Sequence, residues 1–231
     1  MFQSWVVDMY LDCPPGLGYH CPSAAEVVEC RAAITAGDIT SHAYPHDAQL
    51  EVTDPALIKA GLAHTFTLDA NTGQPRKRTL SQRDVPGLTR GAIPILTSMG
   101  VRAISIGQNS GSPRPQTNNA SLGCFVWRDP ESQTELYYLD VDGYGWWAGG
   151  HGCERDVNGQ PLGMKHGLVL NFNGDNQGPS TAAEYSAVWR DIRLTYPNAA
   201  VVASTFDNFT QHLDAVKPRM PVVTSEIGDN W

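Results

Sequence analysis

Apolar segments alternate along the chain with polar segments rich in Gly, Pro, Ser and Asn, and their lengths and flanking residues predict its elements. The best-marked helix covers 22–36, because Ser23 can cap it, Glu26 completes a capping box and Gly37 ends it. Short β-branched runs that stop at turn residues predict strands. The predicted helices are 22–36, 54–63, 89–99, 180–196 and 207–216, and the predicted strands are 38–43, 78–82, 101–106, 124–127, 135–139, 167–172, 199–203 and 221–224.

Strands that alternate with helices predict an α/β domain with a mostly parallel sheet and helices outside it. No internal repeat or linker divides the sequence, so we expect one domain over 1–231. Functional groups of such sheets lie just beyond the carboxyl ends of the strands. That rule selects six polar residues: His42, Asp84, Asn109, Asp175, Thr205 and Glu226.

Asp84 is the leading candidate for chemistry. It follows a predicted strand and precedes Val-Pro-Gly, a tight turn before a helix. A carboxylate held rigidly at the rim of a sheet suits a nucleophile or a ligand for a hard metal ion. The alternative is an ordinary turn residue that accepts hydrogen bonds from local N–H groups.

A second candidate is the titratable segment His42-Ala-Tyr-Pro-His-Asp47, which Glu51 follows. It contains potential metal ligands, but Pro45 disfavours a helix, so the two histidines need not share a face. A polar loop after a strand is the alternative interpretation of this segment.

Two further segments combine carboxylates with residues suited to sugar hydroxyls. Asp175 and Asn176 stand in a polar Gly-rich loop before a helix, where Asp is also common for structural reasons. At the end of the chain, Glu226, Asp229 and Trp231 together suit a sugar subsite.

Composition excludes several classes of function. Asp and Glu outnumber Lys and Arg by 24 to 16, and the net charge of -8 disfavours general nucleic-acid binding. No run of 18 apolar residues exists, so no membrane span is predicted. Serine-hydrolase, Walker, dinucleotide-binding and paired CxxC motifs are also absent.

Five cysteines leave at least one unpaired within the chain. Three of them, Cys13, Cys21 and Cys30, fall in the first thirty residues. They predict either a local disulfide of a secreted protein or buried thiols. The oligomeric state is open.

Several motifs occur in a distinctive order: Gly37-Asp-Ile, His42-Ala-Tyr-Pro, Arg83-Asp-Val-Pro-Gly, Ile104-Ser-Ile-Gly-Gln-Asn109, Gly143-Tyr-Gly, Gly174-Asp-Asn, Thr205-Phe-Asp-Asn-Phe and Glu226-Ile-Gly-Asp-Asn-Trp. In this order the chain resembles an uncharacterised family related to glycoside hydrolase family 38, which contains α-mannosidases. The resemblance implies the seven-stranded β/α barrel that this family shares with polysaccharide deacetylases. The abrupt end at Trp231 and the lack of a first strand predict an incomplete barrel, truncated at both ends.

The resemblance also implies roles for individual residues. Asp84 stands where α-mannosidases have an Asp that is both nucleophile and zinc ligand. Asp175 resembles the acid/base of a Gly-Asp-Asp motif, in which Asn176 replaces the second Asp. The resemblance makes His42, Asn109 and Tyr144 candidates for substrate contact.

The family pattern implies a zinc ion, which is the expected divalent cofactor. Its His-x-Asp motif would precede Trp5, and a further zinc histidine would lie beyond the end of this chain. Because Asp84 is then the single family ligand present, we expect this chain to bind zinc poorly.

Three hypotheses about function follow. The first is a retaining glycosidase domain acting on a glycan or glycoside, with a secreted or lysosome-like parent. The second is a metal-dependent polysaccharide deacetylase or lyase that draws its ligands from His42, His46, Asp47 and Asp84. The third is a carbohydrate-binding fragment without catalysis.

Overall fold

The computed structural model describes residues 3–84, 87–108, 116–117, 120–121, 123–141, 153, 160–171, 177–178 and 180–227. Its helices are α1 (Ser4–Asp12), α2 (Ala24–Ala36), α3 (Pro55–Asn71), α4 (Ala92–Ser98), α5 (Ala182–Thr195) and α6 (Phe206–Gln211). Its strands are β1 (Thr79–Asp84), β2 (Ala103–Gln108), β3 (Gln116–Thr117), β4 (Ala120–Ser121), β5 (Cys124–Arg128), β6 (Glu135–Val141) and β7 (Val222–Val223). None of the helices in these ranges is long and apolar enough to cross a membrane.

Five strands form one sheet in the order β1-β2-β6-β5-β7. β1, β2 and β6 run parallel, β5 is antiparallel to β6, and β7 is parallel to β5. Three of the four pairings are therefore parallel, as the alternation of strands and helices predicts. The carboxyl ends of β5 and β7 nevertheless point away from those of β1, β2 and β6.

The two faces of the sheet have separate apolar cores because successive side chains of a strand point to opposite faces. On one face, Leu80, Ile104 and Tyr138 pack with residues of α3 and α4. On the other face, Ala103, Leu139 and their neighbours pack against α6 and the 3₁₀ turns His212–Ala215 and Lys217–Arg219. The second face also contains polar residues of β1.

The amino-terminal helices form a third, smaller cluster with α3. α1 buries Ser4, Val7 and Leu11, which lie three and four residues apart and so share one helical face. α2 has the predicted capping box between Ser23 and Glu26. This confirms the local prediction for α2, whereas the apolar stretch 2–12 had no predicted element.

Two disulfides are formed within the described residues. Cys13 pairs with Cys21 and Cys124 with Cys153, while Cys30 is free. The pairing of Cys13 with Cys21 confirms the local-disulfide interpretation of the amino-terminal cysteines.

Three predicted strands are wrong in the described residues. Segment 38–43 contains only an isolated bridge at Ser41, segment 167–171 only one at Leu168, and 199–203 has no ladder. The fold is α/β as expected. Among the described strands, five form one sheet and β3 and β4 form a separate two-stranded sheet, and the incomplete seven-stranded barrel stays a prediction.

Candidate functional site

Asp84 occupies the carboxyl end of β1, where the sequence predicted it, and is exposed. Its φ is 70°, in the left-handed region that few residues other than Gly adopt. Asp tolerates this region better than most residues, but it still costs about 1 kcal/mol. Backbone strain of this kind concentrates at functional sites, so the conformation supports a functional role for Asp84.

A second carboxylate, Asp47, lies near Asp84. Its Oδ1 accepts a 3.0 Å hydrogen bond from the backbone N–H of Arg83, and its Oδ2 accepts one of 3.0 Å from Nε2 of Gln3. Desolvation raises the pKa of Asp47, the hydrogen bond from Arg83 opposes this, and the negative charge of Asp84 adds a smaller increase. The charge of Asp84 thus reaches Asp47, and it is the smallest of the effects that act on the pKa of Asp47.

Arg83 connects this end to the neighbouring strand. Its Nη1 donates to the carbonyls of Gln82 and Ser105 at 2.8 and 2.9 Å, and its Nη2 donates to Oγ of Ser105 at 3.1 Å. Burial lowers the pKa of the guanidinium to about 10, although Asp47 opposes the change. Arg83 thus remains a cation at neutral pH and is held rigidly beside the two carboxylates.

His42 lies in the interior beside β1, not at an exposed rim. Its side chain is buried, and its Nδ1 accepts from the backbone N–H groups of Tyr44 and Ser81 at 3.3 and 3.4 Å. Burial, with a contribution from the charge of Arg83, lowers the pKa of His42 to about 3. The ring is therefore neutral, with its proton on Nε2, and contact with a substrate remains a prediction.

These contacts explain why 38–43 is not a strand. The N–H groups of Ser81 and Arg83, which a neighbouring strand would bond through its carbonyls, are bonded by the side chains of His42 and Asp47. The N–H of Ala43 does donate to the carbonyl of Thr79 at 2.9 Å, as it would in a ladder. Side-chain acceptors thus replace a strand at this edge and bring Asp47 to the end of β1.

Two close approaches hold the segment 42–51 against the rest of the site. The side-chain amide of Gln82 accepts from the N–H of Ala48 at 2.6 Å and donates to the carbonyl of His46 at 3.1 Å. A Cβ at Gly87, where φ is +36°, would lie 2.8 Å from Cβ and 3.0 Å from Cα of Gln49. The residue at 87 must therefore be Gly for this approach.

Glu226 does not join this group. It follows β7, and its Oε1 accepts a 2.6 Å hydrogen bond from the backbone N–H of Arg90. Because β7 is antiparallel to β1, its carboxyl end lies at the opposite end of the sheet from Asp84. Glu226 therefore does not share the end of the sheet that carries Asp84, and its contact with a substrate stays a prediction.

Thr205 caps α6, since its side chain accepts from the backbone N–H of Asn208. The other predicted residues lie outside the described part of the chain, so their roles stay predictions. They are Asn109, Tyr144, Asp175, Asn176, Asp229 and Trp231. Asp47 was grouped with Asp84 only as one of four possible metal ligands in the deacetylase or lyase hypothesis, and the retaining-glycosidase hypothesis did not include it.

The described residues at this end do not fit a zinc centre. Both oxygens of Asp47 and Nδ1 of His42 already accept hydrogen bonds, which leaves Asp84 as the one family ligand. No group of three or more His, Cys, Asp or Glu suited to a metal ion occurs among the residues that the structure describes. Zinc remains a prediction from the resemblance, and no step below depends on it.

Comparisons with known proteins find similarity among solved structures. No family model and no curated protein matches the chain. The crystal structure of an alpha-mannosidase from Enterococcus faecalis V583 is similar in fold, with a TM-score of 0.64 and 17% identity over 97% of this chain and 25% of that one. The chain thus spans about a quarter of that protein's length. At this identity the similarity shows the fold alone.

Proposed function

We propose that this chain is a glycoside-hydrolase-like domain that acts on a glycan or glycoside, with Asp84 as the nucleophile of a retaining reaction. The observation that carries the proposal is the exposed carboxylate of Asp84 at the end of β1, on a left-handed backbone and beside Asp47. The fold shared with part of an alpha-mannosidase supports it. The seven-stranded barrel is proposed for a longer parent, to which this sheet would contribute.

In the first step, a carboxylate oxygen of Asp84 bonds to the anomeric carbon while the bond from that carbon to the leaving oxygen breaks. The leaving oxygen takes a proton from a carboxylic acid. In the second step, that group accepts a proton from water, whose oxygen displaces Asp84 and restores the carboxylate. The anomeric configuration is retained because two inversions occur.

Asp47 and Asp175 are the two candidates for the acid/base. Asp175 is a candidate because the family resemblance implies this role for it. Asp47 is supported by its place at the end of β1, where it accepts from the N–H of Arg83, and by its raised pKa, which favours the protonated form that a general acid needs. Arg83 and Gln3 would act as positioning residues for Asp47 through their hydrogen bonds to its two oxygens.

Aryl α-mannosides are the first substrates to test, chosen after the structural neighbour. We expect Asp84→Asn to lower kcat/KM by at least about 10⁴-fold, whereas Asp38→Asn, an exposed control with the same charge change, leaves it unaltered. A 2-deoxy-2-fluoro mannoside with a good leaving group should form an ester with Asp84, detected by peptide mass spectrometry. Turnover that survives Asp84→Asn, or a label on another residue, would refute the nucleophile assignment.

The leaving-group dependence identifies the acid. If Asp47 is the acid/base, Asp47→Asn retains most of its kcat/KM on dinitrophenyl glycosides, whose leaving groups need no proton, and loses about 10²-fold or more of kcat/KM on poor leaving groups. Equal losses on both substrates would assign Asp47 a structural role and leave Asp175 as the acid.

The other hypotheses give different products in the same assays. Acetate released from acetylated polysaccharide, or an unsaturated sugar, would indicate a deacetylase or lyase. Sugar affinity without turnover would indicate a binding domain. Either outcome contradicts the retaining mechanism proposed for Asp84.

A further inference from the structure

A cleft of about 180 Å³ opens at the amino-terminal ends of β1, β2 and β6, at the opposite end of the sheet from Asp84. Its polar lining consists of Arg78, Arg102, Glu135, Tyr137, Asp214 and Lys217. None of these residues takes part in the proposed glycosidase chemistry. The cleft is therefore a separate feature of the molecule.

The carboxylate of Asp214 is already engaged by its surroundings. Its Oδ1 lies 2.6 Å from both Nη2 of Arg102 and Oη of Tyr137, each of which donates a hydrogen bond. Burial opposes ionisation of Asp214, but these two hydrogen bonds outweigh it and hold the pKa of Asp214 below its usual range. Asp214 is thus a fixed anion that orients Arg102 and the ring of Tyr137.

Glu135 is engaged in the same way on the other side. Its Oε1 lies 2.7 Å from Nζ of Lys217, and its Oε2 accepts from Nε of Arg128 at 2.7 Å. Burial again opposes ionisation, and the hydrogen bonds from Lys217 and Arg128 outweigh it and lower the pKa of Glu135. Both carboxylates of the cleft are therefore neutralised by cations that touch them.

Cations remain in excess after this pairing. The cleft is lined by three cations, Arg78, Arg102 and Lys217, and by two carboxylates, Glu135 and Asp214, which leaves one positive charge. Arg128, which pairs with Glu135, and Asp207, which accepts from the backbone N–H of Arg78, add one charge of each sign and leave this excess unchanged. The rest of the protein has the opposite sign, because its net charge is -8. A local positive site on an acidic protein selects small anions and not polyanions, which the overall charge repels.

Arg78 is the cation that the protein leaves available. Its backbone is fixed, since its N–H donates to Oδ2 of Asp207 at 3.0 Å and its carbonyl accepts from the N–H of Arg102 at 2.8 Å. Its side chain is exposed at the cleft and forms no hydrogen bond or ion pair with another residue in the described ranges. A guanidinium held in this way can offer two parallel N–H donors to one ligand.

We propose that this cleft binds a small tetrahedral oxyanion, a phosphate or sulfate group, with Arg78 as the principal donor and Arg102 and Lys217 supplying further positive charge. The volume of this cleft is smaller than the roughly 300 Å³ at which pockets begin to hold drug-sized ligands. The anion would therefore be free or carried on a small molecule. Carboxylates and halides lack the tetrahedral oxygens that several donors can bond at once.

The test is a calorimetric titration of the chain with inorganic phosphate at constant ionic strength. We expect one saturable site, competition by sulfate, and no competition by acetate or chloride. Arg78→Gln should weaken phosphate binding about tenfold, in line with the loss of a charge-assisted contact. Arg31→Gln is the matched control, because Arg31 is exposed on α2 and the substitution removes the same charge.

Equal weakening by both variants would overturn the proposal, because it would reveal only a general charge effect. An absence of saturable binding up to about 10 mM phosphate, or equal competition by acetate, would overturn it as well. Asp84→Asn should leave phosphate binding intact, so this inference can fail or succeed independently of the glycosidase assignment.

Discussion

At the amino-terminal end of β1, Lys77 and Asp69 form a buried ion pair, whereas at its carboxyl end Asp47 and Asp84 bring two negative charges together. Nζ of Lys77 lies 2.9 Å from Oδ1 of Asp69, and both side chains are more than nine-tenths buried. At the other end Arg83 supplies a cation beside two carboxylates, and the nearby imidazole of His42 is neutral and adds no further positive charge. The amino-terminal end of β1 is thus a charge-balanced structural end, whereas the charges at its carboxyl end favour chemistry over stability.

The largest effect on stability is expected from removing the ion pair between Lys77 and Asp69. Lys77→Met should lower the free energy of unfolding by about 3–5 kcal/mol, because it leaves the carboxylate of Asp69 buried without its cation. Chemical denaturation monitored by circular dichroism measures this loss. The double variant Asp69→Asn/Lys77→Met should recover part of the stability, and a double variant as unstable as the single one would contradict the explanation.

The next largest effect is expected at Gly87, which lies against the segment that holds Asp47. Gly87→Ala should cost about 2–3 kcal/mol and lower activity, since its Cβ would collide with the backbone of Gln49 and displace the segment that holds Asp47. Gly73→Ala is the control, because Gly73 has a φ of +70° but open space around it and should cost only about 1 kcal/mol. Equal losses in the two variants would exclude the close approach as the cause.

The buried His42 makes stability depend on pH. The unfolded chain protonates this residue below about pH 6.5, while in the folded protein its pKa is about 3. Stability should therefore fall as pH is lowered through this window, with a contribution from His42 of about 1.4 kcal/mol per pH unit. Urea midpoints at pH 7.5 and 5.5 test this, and His42→Gln should flatten the difference. An undiminished slope in the variant would assign it to other groups.

The smallest effect isolates the strain at Asp84. Asp84→Gly should be more stable than Asp84→Ala by about 1 kcal/mol, because Gly adopts a φ of 70° without steric cost. Neither variant retains the carboxylate, so the pair compares backbone strain alone. Thermal midpoints of the two proteins supply the measurement, and identical midpoints would mean that position 84 relaxes when its side chain is removed.

Local signals in the sequence were sufficient for several elements. The cap of α2 depends on Ser23, Glu26 and Gly37, which lie within one short segment. The end of β1 at Asp84 was also predictable, because the turn residues that stop the strand follow it directly. Strands 124–127 and 135–139 were predicted for the same reason, and Asp129 and Ser132 form the turn between β5 and β6.

Features that depend on distant partners were not predictable in this way. The position of Glu226 is set by the pairing of β7 with β5, and Val126 and Val222 are almost a hundred residues apart. The loss of strand 38–43 depends on the ring of His42 accepting the N–H of Ser81, a contact between side chain and backbone that hydrophobic patterns do not encode. Asp47 joins Asp84 through the same segment, so the site and the irregular edge have one cause.

That irregular edge has a consequence for the behaviour of the chain in concentrated solution. β1 is the terminal strand of the sheet, and terminal strands attract strands of other molecules through their unbonded N–H and C=O groups. Here His42 and Asp47 occupy two outward N–H groups of β1, and Ala43 occupies an outward carbonyl. The contacts that deliver Asp47 to Asp84 therefore also protect the sheet from edge-to-edge aggregation.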